Sequence, residues 1–182
     1  MHCLFLGIAR WIVKRIWVNE KVLKLESLRA IQRKMNQFQV PVDIGRISGK
    51  VECGEGFANF TADQWRIFFT VYATVSLWKH LPDIDRKILT FFVRICSILV
   101  ERIVQSDLMV EAHQKLVEII KLIEQTYGRD FITPNLHLSL HLLEYCTDYG
   151  PLYAFWCFSF ERMNGVLGEL IFKKIWQISF FL

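Results

Sequence analysis

The chain has 182 residues, 53% hydrophobic, 14% aromatic and 22% charged, with a formal net charge of +4 and a mean hydropathy of +0.27. It is long enough for a domain with a real core, and this apolar content excludes a disordered polymer, which needs low hydrophobicity and high charge. A membrane span is excluded too, because the longest apolar runs, 67–78 and 150–160, are closed by Arg66, Lys79 and Glu161 and fall short of the roughly 18–20 residues required.

Residues 2–18 read as a helix, with Leu4, Ile8, Trp11, Ile12 and Ile16 on one stripe. This segment lacks acids and carries Arg10, Lys14 and Arg15, as a targeting peptide does. A secretory signal, however, places its charge before the apolar stretch and ends in small residues. Here the charge follows, and Trp17 stands where small residues belong. The expected location is nuclear or cytoplasmic, not secreted. Asn19 is the expected N-cap of a second helix over 20–36. Arg10, Lys14, Arg15, Lys21, Lys24, Arg29, Arg33 and Lys34 face only Glu20 and Glu26 in this stretch. Such a run suits phosphates, and it equally suits the solvated face of helices.

From 38 to 60 the periodicity dissolves at Pro41, Gly45, Gly49, Gly54 and Gly56, giving an irregular connector. The stretch Gly45-Arg46-Ile47-Ser48-Gly49-Lys50 is not a phosphate-binding loop. Its glycines are too close, and Val51 replaces the Ser or Thr that the loop requires. Thr61-Ala62-Asp63-Gln64 is a capping box, and an apolar helix follows to about Leu81, before Pro82. The next helix starts near Asp83 and runs to about 105, with Ile84, Ile88, Phe91, Phe92, Ile95, Leu99 and Ile103 on its apolar face. A long amphipathic helix over 107–127 shares Leu108, Ala112, Leu116, Ile119, Ile120, Ile123 and Tyr127 on one side. Gly128 is placed to end it. Pro134 and Asn135 open another helix, closed by Gly150-Pro151. Residues 153–158 have the composition of a short buried strand, and a last helix is expected over 161–176. The fold class is mainly α.

Chemistry read from residue types alone gives no reaction. His137 and His141 lie four apart on a helix and could share a metal ion, but no acid stands between them and a third ligand would have to come from afar. Hydrogen-bonded structural histidines are the default. The five cysteines, Cys3, Cys53, Cys96, Cys146 and Cys157, show no paired spacing, as free thiols in a reducing compartment would. Cys157 sits between Trp156 and Phe158 with nothing to activate it. Glu161 follows the apolar run 155–160, where metal-dependent phosphoryl chemistry could place a ligand, or where a helix simply begins with a charge.

Five ordered blocks carry a resemblance. They are Met1-His2-Cys3-Leu4-Phe5-Leu6-Gly7; Ile44-Gly45-Arg46-Ile47-Ser48-Gly49-Lys50; Phe57-Ala58-Asn59-Phe60-Thr61-Ala62-Asp63-Gln64-Trp65; Thr133-Pro134-Asn135-Leu136-His137-Leu138 with His141-Leu142; and Asp148-Tyr149-Gly150-Pro151 with Phe155-Trp156-Cys157-Phe158-Ser159-Phe160-Glu161-Arg162 and Asn164-Gly165. In this order they resemble transposases of the CACTA (En/Spm-like) group, over residues 1 to about 168. The motif residues are thus His2, His137, His141, Asp148, Trp156, Arg162 and Asn164.

The resemblance implies an RNase H-like nuclease core with a helical insertion, acting on transposon-end DNA. Three carboxylates there would hold Mg²⁺ or Mn²⁺, two ions about 4 Å apart activating the attacking oxygen and stabilising the leaving one. Glu161 is the candidate third acid, and the second would stand just before the Met-His pair. Residues 1–18 would then be a remnant of the core, 19–130 the helical insertion, 131–168 a C-terminal core segment and 169–182 a divergent apolar tail. The expected object is a truncated, catalytically inactive relic that holds no metal itself and owes any DNA affinity to the cations of 10–34. The alternative is a non-enzymatic helical module that binds protein or DNA, its partners being other transposase segments or a second copy. If Glu161 is the third acid, it should lie within about 10 Å of the backbone of residues 1–3.

Overall fold

The first helix is wound to suit a repeat of four. In the computed structural model, which describes residues 2–39, 41, 47, 51–53, 57, 60–103, 105–155 and 163, α1 comprises two π-wound segments, His2–Ala9 and Ile12–Asn19, joined through Arg10 and Trp11. Leu4, Phe5, Ile8, Ala9, Ile12, Val13, Ile16 and Trp17 are each no more than 1% exposed, so two adjacent residues turn inward in every four. At about 100° per residue, an α-helix would advance a four-residue repeat by roughly 40° each time and smear this face around the axis. A π winding places more residues in each turn and removes the drift. Both segments are longer than the single-turn bulges in which π geometry mostly occurs. Trp11, expected on the buried stripe, is only partly buried. A 3.6-residue template selects it, whereas the repeat of four selects Phe5, Ala9, Val13 and Trp17.

Asn19 ends α1 and does not cap the next helix. Lys21 turns back with φ 58°, and the Leu23 N–H donates to the Trp17 carbonyl at 2.7 Å. Helix α2, Leu25–Gln37, therefore begins five residues later than expected and buries Leu28, Ile31 and Met35. Within the connector, the short 3₁₀ turn Val51–Cys53 is fixed by the Val51 N–H donating to Gln32 Oε1 of α2 at 2.6 Å.

Helix α3 runs over 62–80 as Ala62–Ile67, a π segment Phe68–Tyr72, Ala73–Leu77 and a 3₁₀ turn Trp78–His80. Its capping box forms as expected, with Thr61 and Gln64 each bonding the other's backbone N–H. In the π segment the Thr70 hydroxyl donates to the Arg66 carbonyl at 2.9 Å, the kind of back-bonding that bends helices. Phe57, Phe60, Trp65, Phe68, Phe69 and Phe92 form an aromatic cluster with neighbouring ring centroids between 4.7 and 6.2 Å apart. The Trp65 indole N–H finds no acceptor among the described residues.

Helices α4, Asp83–Leu99, and α5, Ser106–Tyr127, pack along one another. Arg94 donates to both carboxylate oxygens of Glu111 across the pair, at 2.9 and 2.8 Å. Helix α4 stops at Leu99, short of 105, and leaves Ile103 76% exposed. Ile84, expected inside, is exposed. With the helix starting directly after Pro82, Asp85 takes the inward position of the first turn. Gly128 closes α5 with φ 99°, where an L side chain would be strained.

A 3₁₀ turn, Arg129–Phe131, leads to α6, Pro134–Ser139, which is capped by the Thr133 hydroxyl accepting from the Leu136 N–H. Leu140 and His141 form a turn, so the expected helix over 135–148 is two, α6 and α7, Leu142–Tyr149. Gly150 ends α7 with φ 82°. Residues Leu152–Phe155 then form the short helix α8, not a strand. Of the expected helix over 161–176 only Met163 is described, helical and exposed, and the tail 169–182 lies outside the described residues. All the regular structure among the described residues is helical, and none of these helices is long and apolar enough to cross a membrane. Buried apolar residues from Leu4 to Leu152 belong to one core cluster.

Among the described residues one carboxyl side chain, that of Asp85, sits inside that core. Asp85 is 3% exposed, and its Oδ1 accepts from Trp17 Nε1 at 2.7 Å and from the Tyr127 hydroxyl at 2.8 Å. Buried aspartates are rare unless partnered in this way. Burial raises the Asp85 pKa above the ordinary carboxylate range, and the two hydrogen bonds only partly oppose it. The folded chain thus holds the Asp85 proton more tightly than the unfolded chain. The stability this contributes is full below the ordinary carboxylate pKa and is lost as pH rises through the raised folded value. Asp85→Asn, which keeps a neutral acceptor, should therefore equal or exceed the parent in stability near pH 7, the advantage vanishing in acid. Asp85→Ala strands the Trp17 N–H and should cost about 1–3 kcal/mol. Chemical denaturation across a pH series decides it: an alanine variant of unchanged stability, or parallel pH profiles for parent and Asn variant, would refute this account.

Candidate functional site

The residues of α1 that turn outward are also paired. Leu6 and Gly7, Arg10 and Trp11, Lys14 and Arg15, and Asn19 line a groove of about 380 Å³ whose far wall includes Asn135 of α6. Two blocks more than 120 residues apart in sequence, 1–7 and 133–138, thus meet along this groove. The Cys3 thiol donates to the Asn135 carbonyl at 3.3 Å, and a Cβ on Gly7 would lie 2.7 Å from Asn135 Nδ2, 2.9 Å from its Cγ and 3.2 Å from its Cβ. Close packing of helix on helix is what requires glycine here. Burial pushes the Cys3 thiol pKa up, against the lowering effect of the nearby N-terminal charge, which does not favour a nucleophilic role.

The eight expected DNA-contacting cations do not form one patch. Arg15 pairs with Glu20 and lies 4.5 Å above the Phe131 ring. Lys34 is spent on the Val75 carbonyl at 2.7 Å. Lys21 and Lys24 are exposed in and beside the turn before α2. Arg29 and Arg33 line a second groove, of about 620 Å³, together with Glu26 and Glu52. Arg10 and Lys14 remain on the α1 groove, where no acid is among the described lining residues. The sequence showed the cations but not which of them a neighbouring carboxylate or carbonyl would occupy.

His137 and His141 are brought together, with ring centroids 5.5 Å apart. His141 Nδ1 lies 3.0 Å from Glu144 Oε2, an orienting bond that sequence reasoning missed, although a three-residue spacing into α7 signals it. Among the described residues, no three or more of His, Cys, Asp and Glu gather where they could hold a metal ion. Asp148 is exposed on α7. Cys3, Cys96 and Cys146 are free thiols. The His2 side chain, Trp156, Glu161, Arg162 and Asn164 lie outside the described residues, and with them the expected approach of Glu161 to residues 1–3. Asp85, Gly7 and Asn135 are the positions that reasoning about sites passed over. For Asp85 the available signal was a lone acid on an otherwise apolar inward face.

Comparison with protein-family models, with curated proteins and with solved structures finds no match.

The junction of α1 and α6 is directly testable. Alanine normally improves a helix over glycine by about 1 kcal/mol, but Gly7→Ala must displace the whole Asn135 side chain, since even its Cβ is in tight contact. A net loss of about 1–3 kcal/mol is expected, recovered in large part in the double variant Gly7→Ala/Asn135→Ala. A thermal melt of the single variant at or above the parent value would show that the contact is not constraining.

Proposed function

We propose that the chain is a helical module of CACTA-like transposase descent, without strand-cleaving activity of its own, whose N-terminal basic helices meet DNA. One observation carries this reading. The blocks 1–7 and 133–138, two of those that give the resemblance, pack on each other through Gly7 and Asn135, as segments of one ancestral core would. In this reading residues 1–18 and 131–168 belong to the RNase H-like side of the parent and 19–130 to its helical insertion. The resemblance would assign Mg²⁺ or Mn²⁺ to the family's three-carboxylate site, in which Glu161 is the candidate third acid.

A second reading, a helical protein-interaction module that pairs with other transposase segments or with itself, draws on an apolar groove between α5 and α7. It has a volume of about 480 Å³ and is lined by Met109, Val110, Leu143 and Cys146, with Ser106 and Thr147. Sedimentation of the purified chain separates the two, since a self-associating module would form a concentration-dependent dimer.

The catalytic half of the proposal is checked with supercoiled plasmid incubated with the full chain and Mg²⁺ or Mn²⁺. The plasmid should stay intact. Nicking that disappears in Glu161→Gln would overturn the inert reading.

A further inference from the structure

We propose that the groove between α1 and α6 takes one strand of a nucleic acid, with Arg10 and Lys14 on successive phosphates and the Trp11 indole against a base. The proposal rests on the reading above for its ligand class alone; the choice of groove and of a single strand rests on what lines it.

Two grooves carry paired arginine or lysine side chains, and their other residues separate them. Arg29 and Arg33 share theirs with the carboxylates of Glu26 and Glu52, which would repel a phosphate backbone as strongly as the cations attract it. Arg10 and Lys14 share theirs with Trp11 and the amides of Asn19 and Asn135. Neither cation has an ion pair among the described residues, whereas the adjacent Arg15 is neutralised by Glu20. Arg10 and Lys14 are four residues apart, close to one turn of the helix, so they present two separate points of positive charge along one face.

Beside them lies the aromatic surface. Trp11 meets the Phe131 ring edge-on at 6.1 Å between centroids, and Phe131 is itself held under Arg15. The indole is therefore held by Phe131 and is one of the side chains that line the groove. A charged track beside an aromatic platform is the arrangement that binds unpaired strands, because every base has a stackable face. In a duplex that face is already covered by neighbouring base pairs, and only the phosphates would be reachable.

The test uses the full chain and fluorescence anisotropy with a labelled thymidine 20-mer and with a duplex of equal length, over a salt series. The single strand should bind tighter. The slope of log K against log salt should be near −1.4, about 0.7 for each of two phosphates. Arg10→Gln and Lys14→Gln should each flatten it by about 0.7. Trp11→Leu should weaken strand binding roughly tenfold or more while Trp11→Phe keeps most of it, and Arg29→Gln/Arg33→Gln should change nothing. A melt of each variant confirms that the fold is retained. Duplex bound as well as single strand, with no response to Trp11→Leu, would overturn the strand assignment. Binding lost only on changing Arg29 and Arg33 would overturn the groove and leave the DNA reading standing, and no binding of either DNA at low salt would sink both.

Discussion

A single carboxylate oxygen, Oδ1 of Asp85, accepts hydrogen bonds from the end of α1, through Trp17, and from the end of α5, through Tyr127. Three helices distant in sequence are thereby fixed at one point. The path to α6 follows from it, because Tyr127 is followed at once by Gly128, the turn Arg129–Phe131 and α6. Holding the last turn of α5 against α1 determines where α6 can lie, and so brings Asn135 over Gly7. The charge is kept at a cost in desolvation, which its two donors only partly offset. What it provides is direction: apolar packing alone is indifferent to a small rotation of α1, whereas the Trp17 N–H has one acceptor to reach.

Electrostatics decide what the surface can offer. A stretch with eight cations and two acids looks uniformly basic in sequence, yet folding assigns half of the cations a local task or a carboxylate neighbour. Arg15 stacks on Phe131 and pairs with Glu20, Lys34 holds the α3 backbone, and Arg29 and Arg33 stand among acids. Net charge therefore overstates the attraction this region has for a phosphate, and the position of each glutamate matters more than the number of lysines.

Much of the helical architecture was legible. The capping box at Thr61, the stop at Gly128 and the break at Gly150 each depend on bonds or dihedrals local to a few residues, and each is found where the sequence places it. The errors came where longer-range packing overrode local signals. Asn19 has cap chemistry, but α1 continues through it because Ile16 and Trp17 are already committed to the core. Leu140 and His141 interrupt a helix that composition would continue. Ile84, expected inside, turns outward because Asp85 takes the inward place, held by hydrogen bonds from residues 68 before it and 42 after it. The groove was illegible for the same reason. Its walls belong to the two ends of the described chain, and nothing in the cations themselves says which will be left unpaired.

The two-in, two-out pattern of α1 sets a rule about length. Substitutions at the outward pairs are absorbed by solvent, and even inward ones can be repacked, but the helix has no tolerance for a change of register. Removing one residue between Phe5 and Ile16 would rotate all that precedes it by a quarter of a turn, and inserting two would exchange the faces, driving Arg10 and Lys14 into the core and lifting Leu4 and Phe5 out of it. In α1, then, a substitution is more easily absorbed than a change of length, the reverse of what a surface loop permits.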